Sequence, residues 1–126
     1  MKTATFMSVL AIAAAAASSV LAAPAVKTMD TSEGKVLAGA KDMTLYTFDK
    51  DSKGMSNCYD TCATNWPPFM AAKGAKASGA YTLVKRKDGS EQWAKDGMPL
   101  YYWVKDKKAG DVTGDGVNGV WHAAKP

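Results

Sequence analysis

The chain has 126 residues, of which 47% are hydrophobic and 22% charged, and a formal net charge of +4, values of one ordinary globular domain. They exclude a coiled coil and a large multi-step enzyme. Arg86 is the only arginine, so bidentate guanidinium contacts to bases are not available in number and no nucleic-acid partner is expected.

The N-terminal segment reads as a signal peptide. Lys2 precedes an apolar run from Phe6 to Ile12 and five alanines, closed by Val20-Leu21-Ala22-Ala23, the pattern of a cleavable leader. Residues 1–22 are assigned to it, with cleavage after Ala22. The run is too short and too weakly apolar for a stable span, so no transmembrane segment is expected after cleavage. No cysteine stands at the cleavage site, so no lipid anchor is expected either. Export to the periplasm or beyond follows. The leader holds one lysine and no acid, which leaves +3 on the mature chain. It also holds the only isoleucine, and the mature chain has seven valines and four leucines against eleven aromatic residues. The core is expected to be largely aromatic.

Residues 23–33 read as a loosely ordered arm, and 34–126 as a single domain. Within it the signals are mainly β. Strands are predicted over 35–38, 45–48, 80–86, 90–94, 100–104 and 119–123, from short runs of strand-favouring residues. Charged turns close two of them, at 49–54 and 105–110, and Asp88-Gly89 is a hairpin turn. A helix of at most two turns is predicted over 57–65, starting from an Asn57 cap. Residues 67–80, with Pro67-Pro68, Gly74 and Gly79, form a connection. The fold class is a small antiparallel β domain with one short helix.

The chain also repeats itself. Met43, Leu45, Tyr46, Lys50, Asp51, Lys53, Asp60 and Trp66 recur as Met98, Leu100, Tyr101, Lys105, Asp106, Lys108, Asp115 and Trp121, all at an offset of 55. Two pseudo-symmetric copies, about 34–70 and 89–125, are expected to pack face to face about a pseudo-twofold axis.

The repeated residues carry a resemblance. Tyr46-x-Phe48-x-x-Asp51 and Tyr101-x-Trp103-x-x-Asp106, with Cys58-x3-Cys62-x3-Trp66-Pro67-Pro68 and the Gly114-to-Trp121 ending, resemble the bacterial secreted-repeat proteins. These are predicted lipoproteins with a Y-x-(F/W/Y)-x-x-D motif. The resemblance covers roughly residues 34–125 and implies an exported envelope protein with a duplicated β unit. The missing lipobox cysteine departs from many relatives.

Tyr46 and Phe48 share a strand face, as do Tyr101 and Trp103, so they read as core aromatics. Asp51 and Asp106 then satisfy turn backbone groups and accept from tyrosine hydroxyls. The functional alternative is an exposed aromatic platform for sugars, a small carbohydrate-binding module. Cys58 and Cys62 are the only cysteines, and in an oxidising compartment a disulfide across a distorted turn is expected. The alternative is a copper or thiol redox site using both thiolates and His122, the only histidine. Haem attachment lacks its motif, and zinc lacks a fourth ligand. Asp111 to Gly116 has the start of a calcium loop, but position 12 is His122 rather than a bidentate carboxylate. Lys85-Arg86-Lys87 and Lys105 with Lys107-Lys108 read as solvated basic faces that suit an anionic polymer or partner protein. No nucleophile–base set, paired carboxylates or phosphate loop is found, so a non-enzymatic binding module of unknown envelope partner or ligand is the leading reading, with no cofactor.

Overall fold

The computed structural model describes residues 24–126; residues 1–22, assigned from the sequence to a signal peptide, lie outside them. Seven strands and one helix follow in order: β1 (Lys27–Thr31), β2 (Gly34–Ala38), β3 (Tyr46–Phe48), α1 (Thr61–Asn65), β4 (Tyr81–Lys85), β5 (Glu91–Lys95), β6 (Met98–Pro99) and β7 (Trp121–Ala123). They form three small antiparallel sheets, β1-β2, β3-β7 and β4-β5-β6. The domain is mainly β, as its sequence pattern predicts.

The copies start earlier than their identities suggest. Lys27–Thr31, within the stretch expected to be a loose arm, is β1, and it pairs with β2 along five residues. Its counterpart β4 pairs with β5 in the same way. Each copy therefore opens on a hairpin. The second hairpin's turn is one residue longer, since Thr31 pairs with Gly34 but the Arg86 amide bonds to the Ser90 carbonyl. Gly89 takes φ +89 in that turn, a left-handed conformation that glycine adopts without a Cβ penalty.

The copies are stitched across rather than simply stacked. Tyr46 and Tyr101 exchange both backbone hydrogen bonds, at 2.8 and 2.9 Å. β3 of the first copy pairs with β7 of the second. The reciprocal contact pairs Tyr101 with Pro68 and sends the Tyr102 amide to the Pro67 carbonyl at 2.7 Å. The Asp49 amide bonds to Val120, and its equivalent, Val104, bonds to Asn65. These are one set of contacts made twice.

The strand predicted over 100–104 does not form as a regular ladder. Only Met98–Pro99 pairs with β5, and Tyr101 makes isolated bridges. The reason is its partner: where β7 offers His122 and Ala123, the first copy offers Pro67 and Pro68, which have no N–H to return. The helix also starts late, at Thr61. The Asn57 amide is taken by Asp51 and its side chain donates to the Lys50 carbonyl, so Asn57 caps nothing.

Two buried clusters flank the sheets. One contains Leu37, Leu45, Phe69, Trp93 and Leu100. The other holds Val36, Tyr46, Phe48, Cys58, Trp66, Tyr101 and Trp121. Gly114 abuts this second cluster so closely that a Cβ there would lie 2.9 Å from both Trp66 and Tyr46 rings. Gly114→Ala is expected to destabilise the domain by about 1–3 kcal/mol through overpacking against rings that cannot yield, measured by denaturant unfolding of the oxidised protein.

Candidate functional site

The six motif residues converge at the centre of the domain. Tyr46 and Tyr101 are fully buried, Asp51 and Asp106 nearly so. The Tyr46 hydroxyl donates to Asp106 Oδ2 at 2.6 Å, and the Tyr101 hydroxyl donates to Asp51 Oδ2 at 2.6 Å. Each tyrosine thus serves the other copy's aspartate. The second oxygen of each carboxylate is also used. Asp51 Oδ1 accepts the Asn57 amide, and Asp106 Oδ1 accepts the amide and hydroxyl of Thr113. Each carboxyl group thus meets only donors, and at Asp51 burial still outweighs the pull of Tyr101, Asn57 and Arg86 and raises its carboxyl above the usual range.

Four rings pass through this centre in one stack. Phe48 lies on Trp121 (4.2 Å, 9°), Trp121 on Trp66 (3.8 Å, 0°) and Trp66 on Trp103 (3.9 Å, 23°). Tyr46 meets Trp66 edge-on at 5.4 Å, and Tyr101 meets Trp121 edge-on at 5.2 Å. Every stacked pair joins one copy to the other. Trp66, Trp93 and Trp121 are buried and Trp103 is half-buried, so the tryptophans do not form an exposed sugar platform.

Around Tyr101 the copies differ. Arg86 was expected on a solvated basic face, yet it is buried. Its guanidinium donates to Ser56 Oγ (3.0 Å), Gln92 Oε1 (2.7 Å) and the Cys58 carbonyl (2.7 Å), and it lies over the Tyr59 ring at 4.3 Å. Ser56 Oγ lies 2.6 Å from the Tyr101 hydroxyl. A buried charge persists only when so satisfied. Sequence alone missed this network, because a lone arginine between two lysines carries no mark of burial.

Cys58 and Cys62 form a disulfide. Cys58 precedes α1 and only Cys62 lies in it, which fits the expected distorted turn. Asp60 between them takes φ 57, ψ −127. With the sulfurs joined, no thiolate is free for copper, and His122 Nε2 instead pairs with Asp49 Oδ2 at 2.8 Å at a half-exposed position. The calcium-like segment is also committed elsewhere. Asp111 accepts the Lys107 and Lys108 amides, which hold its carboxyl below the usual range, and Asp115 accepts the Ala123 amide. Among the described residues, no group of three or more His, Cys, Asp or Glu is placed to hold a metal ion.

A profile of a family described as a secreted repeat of unknown function, Lipoprotein_15, matches residues 27–70 and again 82–125. The chain belongs to this family. The two secreted-repeat matches coincide with the two hairpin-led copies, and their starts confirm that each copy includes β1 or β4. No curated protein and no solved structure matches the chain. The family's description makes this an exported protein, and among the described residues no helix is long and apolar enough to cross a membrane.

Burial, followed by the hydrogen bond to Asp106, raises the Tyr46 phenol well above its usual range; burial and then Asp51 do the same to Tyr101. The native secreted repeat therefore holds both protons more tightly than the unfolded chain, whose tyrosines titrate near 10. The stability these phenols contribute is intact below that pH and is lost as pH rises above it, by up to about 1.4 kcal/mol per pH unit for each. Denaturant unfolding between pH 9 and 11 is expected to show this loss, and Tyr46→Phe to lessen its slope by one tyrosine's share.

The disulfide closes a short ring, with a sequence separation of 4. Cys58→Ala/Cys62→Ala is expected to cost about 2 kcal/mol by the chain-entropy relation, read as a lowered denaturation midpoint with no change in secondary structure by circular dichroism.

Proposed function

We propose that the protein works in the periplasm or outside the cell as a non-enzymatic module that binds an envelope partner or ligand through its lysine-rich exterior. The observation that carries this reading is where the repeated tyrosines and aspartates spend their hydrogen bonds. Tyr46, Asp51, Tyr101 and Asp106 all bond inward, so these four residues serve as scaffold. Contact with other molecules is left to the outside, where repeated lysines such as Lys105 and Lys108 are exposed.

Two exposed basic patches favour an acidic partner. Lys85 and Lys87 flank the turn after β4, with the Lys87 ammonium 4.4 Å from the Tyr59 ring centre. Lys105, Lys107 and Lys108 occupy the turn after Trp103. Of these five, only Lys108 makes an ion pair among the described residues, with Asp111 at 3.4 Å. Unneutralised clusters of one sign raise the local concentration of oppositely charged molecules. The copper and carbohydrate alternatives have less in their favour, since each needs side chains that are already joined or buried.

The test is affinity capture from an envelope extract on the immobilised, oxidised mature protein. A specific component is expected to be retained at low salt and released as salt rises, and Lys85→Glu/Lys87→Glu or Lys105→Glu/Lys107→Glu is expected to reduce its retention about tenfold. Retention that is indifferent to both variants and to salt would remove the lysine surface from the reading.

A further inference from the structure

The stacked rings have a geometry that neutral aromatic pairs usually avoid. Ring quadrupoles repel face to face, and paired centroids ordinarily lie about 4.5–7 Å apart. Trp66 and Trp121 stand at 3.8 Å and parallel, and Trp66 and Trp103 at 3.9 Å. Removing one electron reverses this preference, because the positive charge spreads over neighbouring rings and the negative face of each ring attracts it.

The two tyrosines complete the arrangement. Each stands edge-on to one tryptophan of the central pair, at 5.4 and 5.2 Å, with its hydroxyl 2.6 Å from a buried carboxylate. A phenol that loses an electron becomes a strong acid, and here a base is already in hydrogen-bond contact. Before oxidation, burial keeps both phenols protonated, so the proton has reason to move only together with the electron.

We propose that the core is a one-electron relay that quenches oxidising radicals. An oxygen-centred radical or another one-electron oxidant outside the protein takes an electron at half-buried Trp103, and the vacancy passes through Trp66 and Trp121. Tyr46 or Tyr101 fills it. The oxidant gains one electron, the phenolic O–H bond breaks, and an O–H bond forms on Asp106 or Asp51. What remains is a neutral tyrosyl radical beside a neutral carboxyl group, where the pair had carried one negative charge. At Asp106 this removes a buried negative charge, which low-dielectric surroundings disfavour; at Asp51 it would take away the negative charge that faces the buried Arg86 guanidinium, so Tyr46 with Asp106 is the favoured end of the relay. Trp103 is where the electron leaves the protein: it is the least buried of the stack's tryptophans, stacked on Trp66 and with the Lys105 ammonium 5.9 Å from its ring centre.

The experiment photo-oxidises the intact oxidised protein with a ruthenium polypyridyl sensitiser and a sacrificial electron acceptor, and follows the radical by electron paramagnetic resonance. The dominant signal is expected to narrow when the protein carries ring-deuterated tyrosine, to form more slowly in deuterated water, and to survive in Tyr59→Phe/Tyr81→Phe/Tyr102→Phe. Trp103→Leu is expected to slow its formation several-fold. A signal unchanged by tyrosine deuteration leaves the radical on tryptophan and overturns the relay. Loss of the signal in the triple variant also overturns it, by placing the radical on the less buried tyrosines. Neither readout requires altering the buried pair, so a folding defect at Tyr46 or Tyr101 cannot obscure the result.

Discussion

Two tyrosines related by the internal repeat meet at the centre of the domain, exchange their backbone hydrogen bonds, and send their hydroxyls to aspartates on opposite copies. Either copy alone would keep a carboxylate whose donor belongs to the other half. Burying an unpaired charge costs more than a small domain can offset, so the halves fold together or not at all. The ring stack has the same logic, since its stacked contacts join Phe48 to Trp121, Trp121 to Trp66 and Trp66 to Trp103. Electrostatic pairing and aromatic packing therefore enforce one arrangement of the two copies.

Within that arrangement the copies have diverged in ways that their surroundings explain. At the place where β2 buries Val36, β5 buries Gln92, which is bound to Arg86 and to the Leu100 carbonyl. The chain of hydrogen bonds from Arg86 through Ser56 to Tyr101 stiffens the Asp51 side. The Asp106 side relies on Thr113 and on the Gly114 amide, which donates to the Tyr46 hydroxyl. The disulfide belongs to the first copy, and the second has a glycine-rich loop in its place. Two different local solutions hold up one shared centre.

Function follows this division of labour. The centre is closed and satisfied, which suits a scaffold and a confined one-electron relay more than a site where a substrate must enter. The exterior is basic, and among the described residues only Lys27, Lys35, Lys95 and Lys108 of its lysines make ion pairs. Binding and redox behaviour would then occupy the exterior and the centre of one small domain, meeting at the turn where Lys105 lies over Trp103.

Much of this was legible in the residues before any fold was known. The offset of 55 identified the copies, short runs of strand-favouring residues located most strands, and the leader with two cysteines indicated an exported chain with a disulfide. Tyr46, Asp51, Tyr101 and Asp106 could be paired by residue type, since a phenol donates and a carboxylate accepts. What sequence could not say is which tyrosine serves which aspartate. Neighbours in the chain, Tyr46 with Asp51, were the obvious pair, and the protein instead crosses them, because the twofold arrangement brings each hydroxyl to the other copy's turn. The burial of Arg86, the incomplete ladder at Tyr101 opposite two prolines and the strand formed by Lys27–Thr31 were likewise decided by partners distant in sequence. Local pattern records what a segment can form, and only tertiary contact determines which donor, ring or edge is there to complete it.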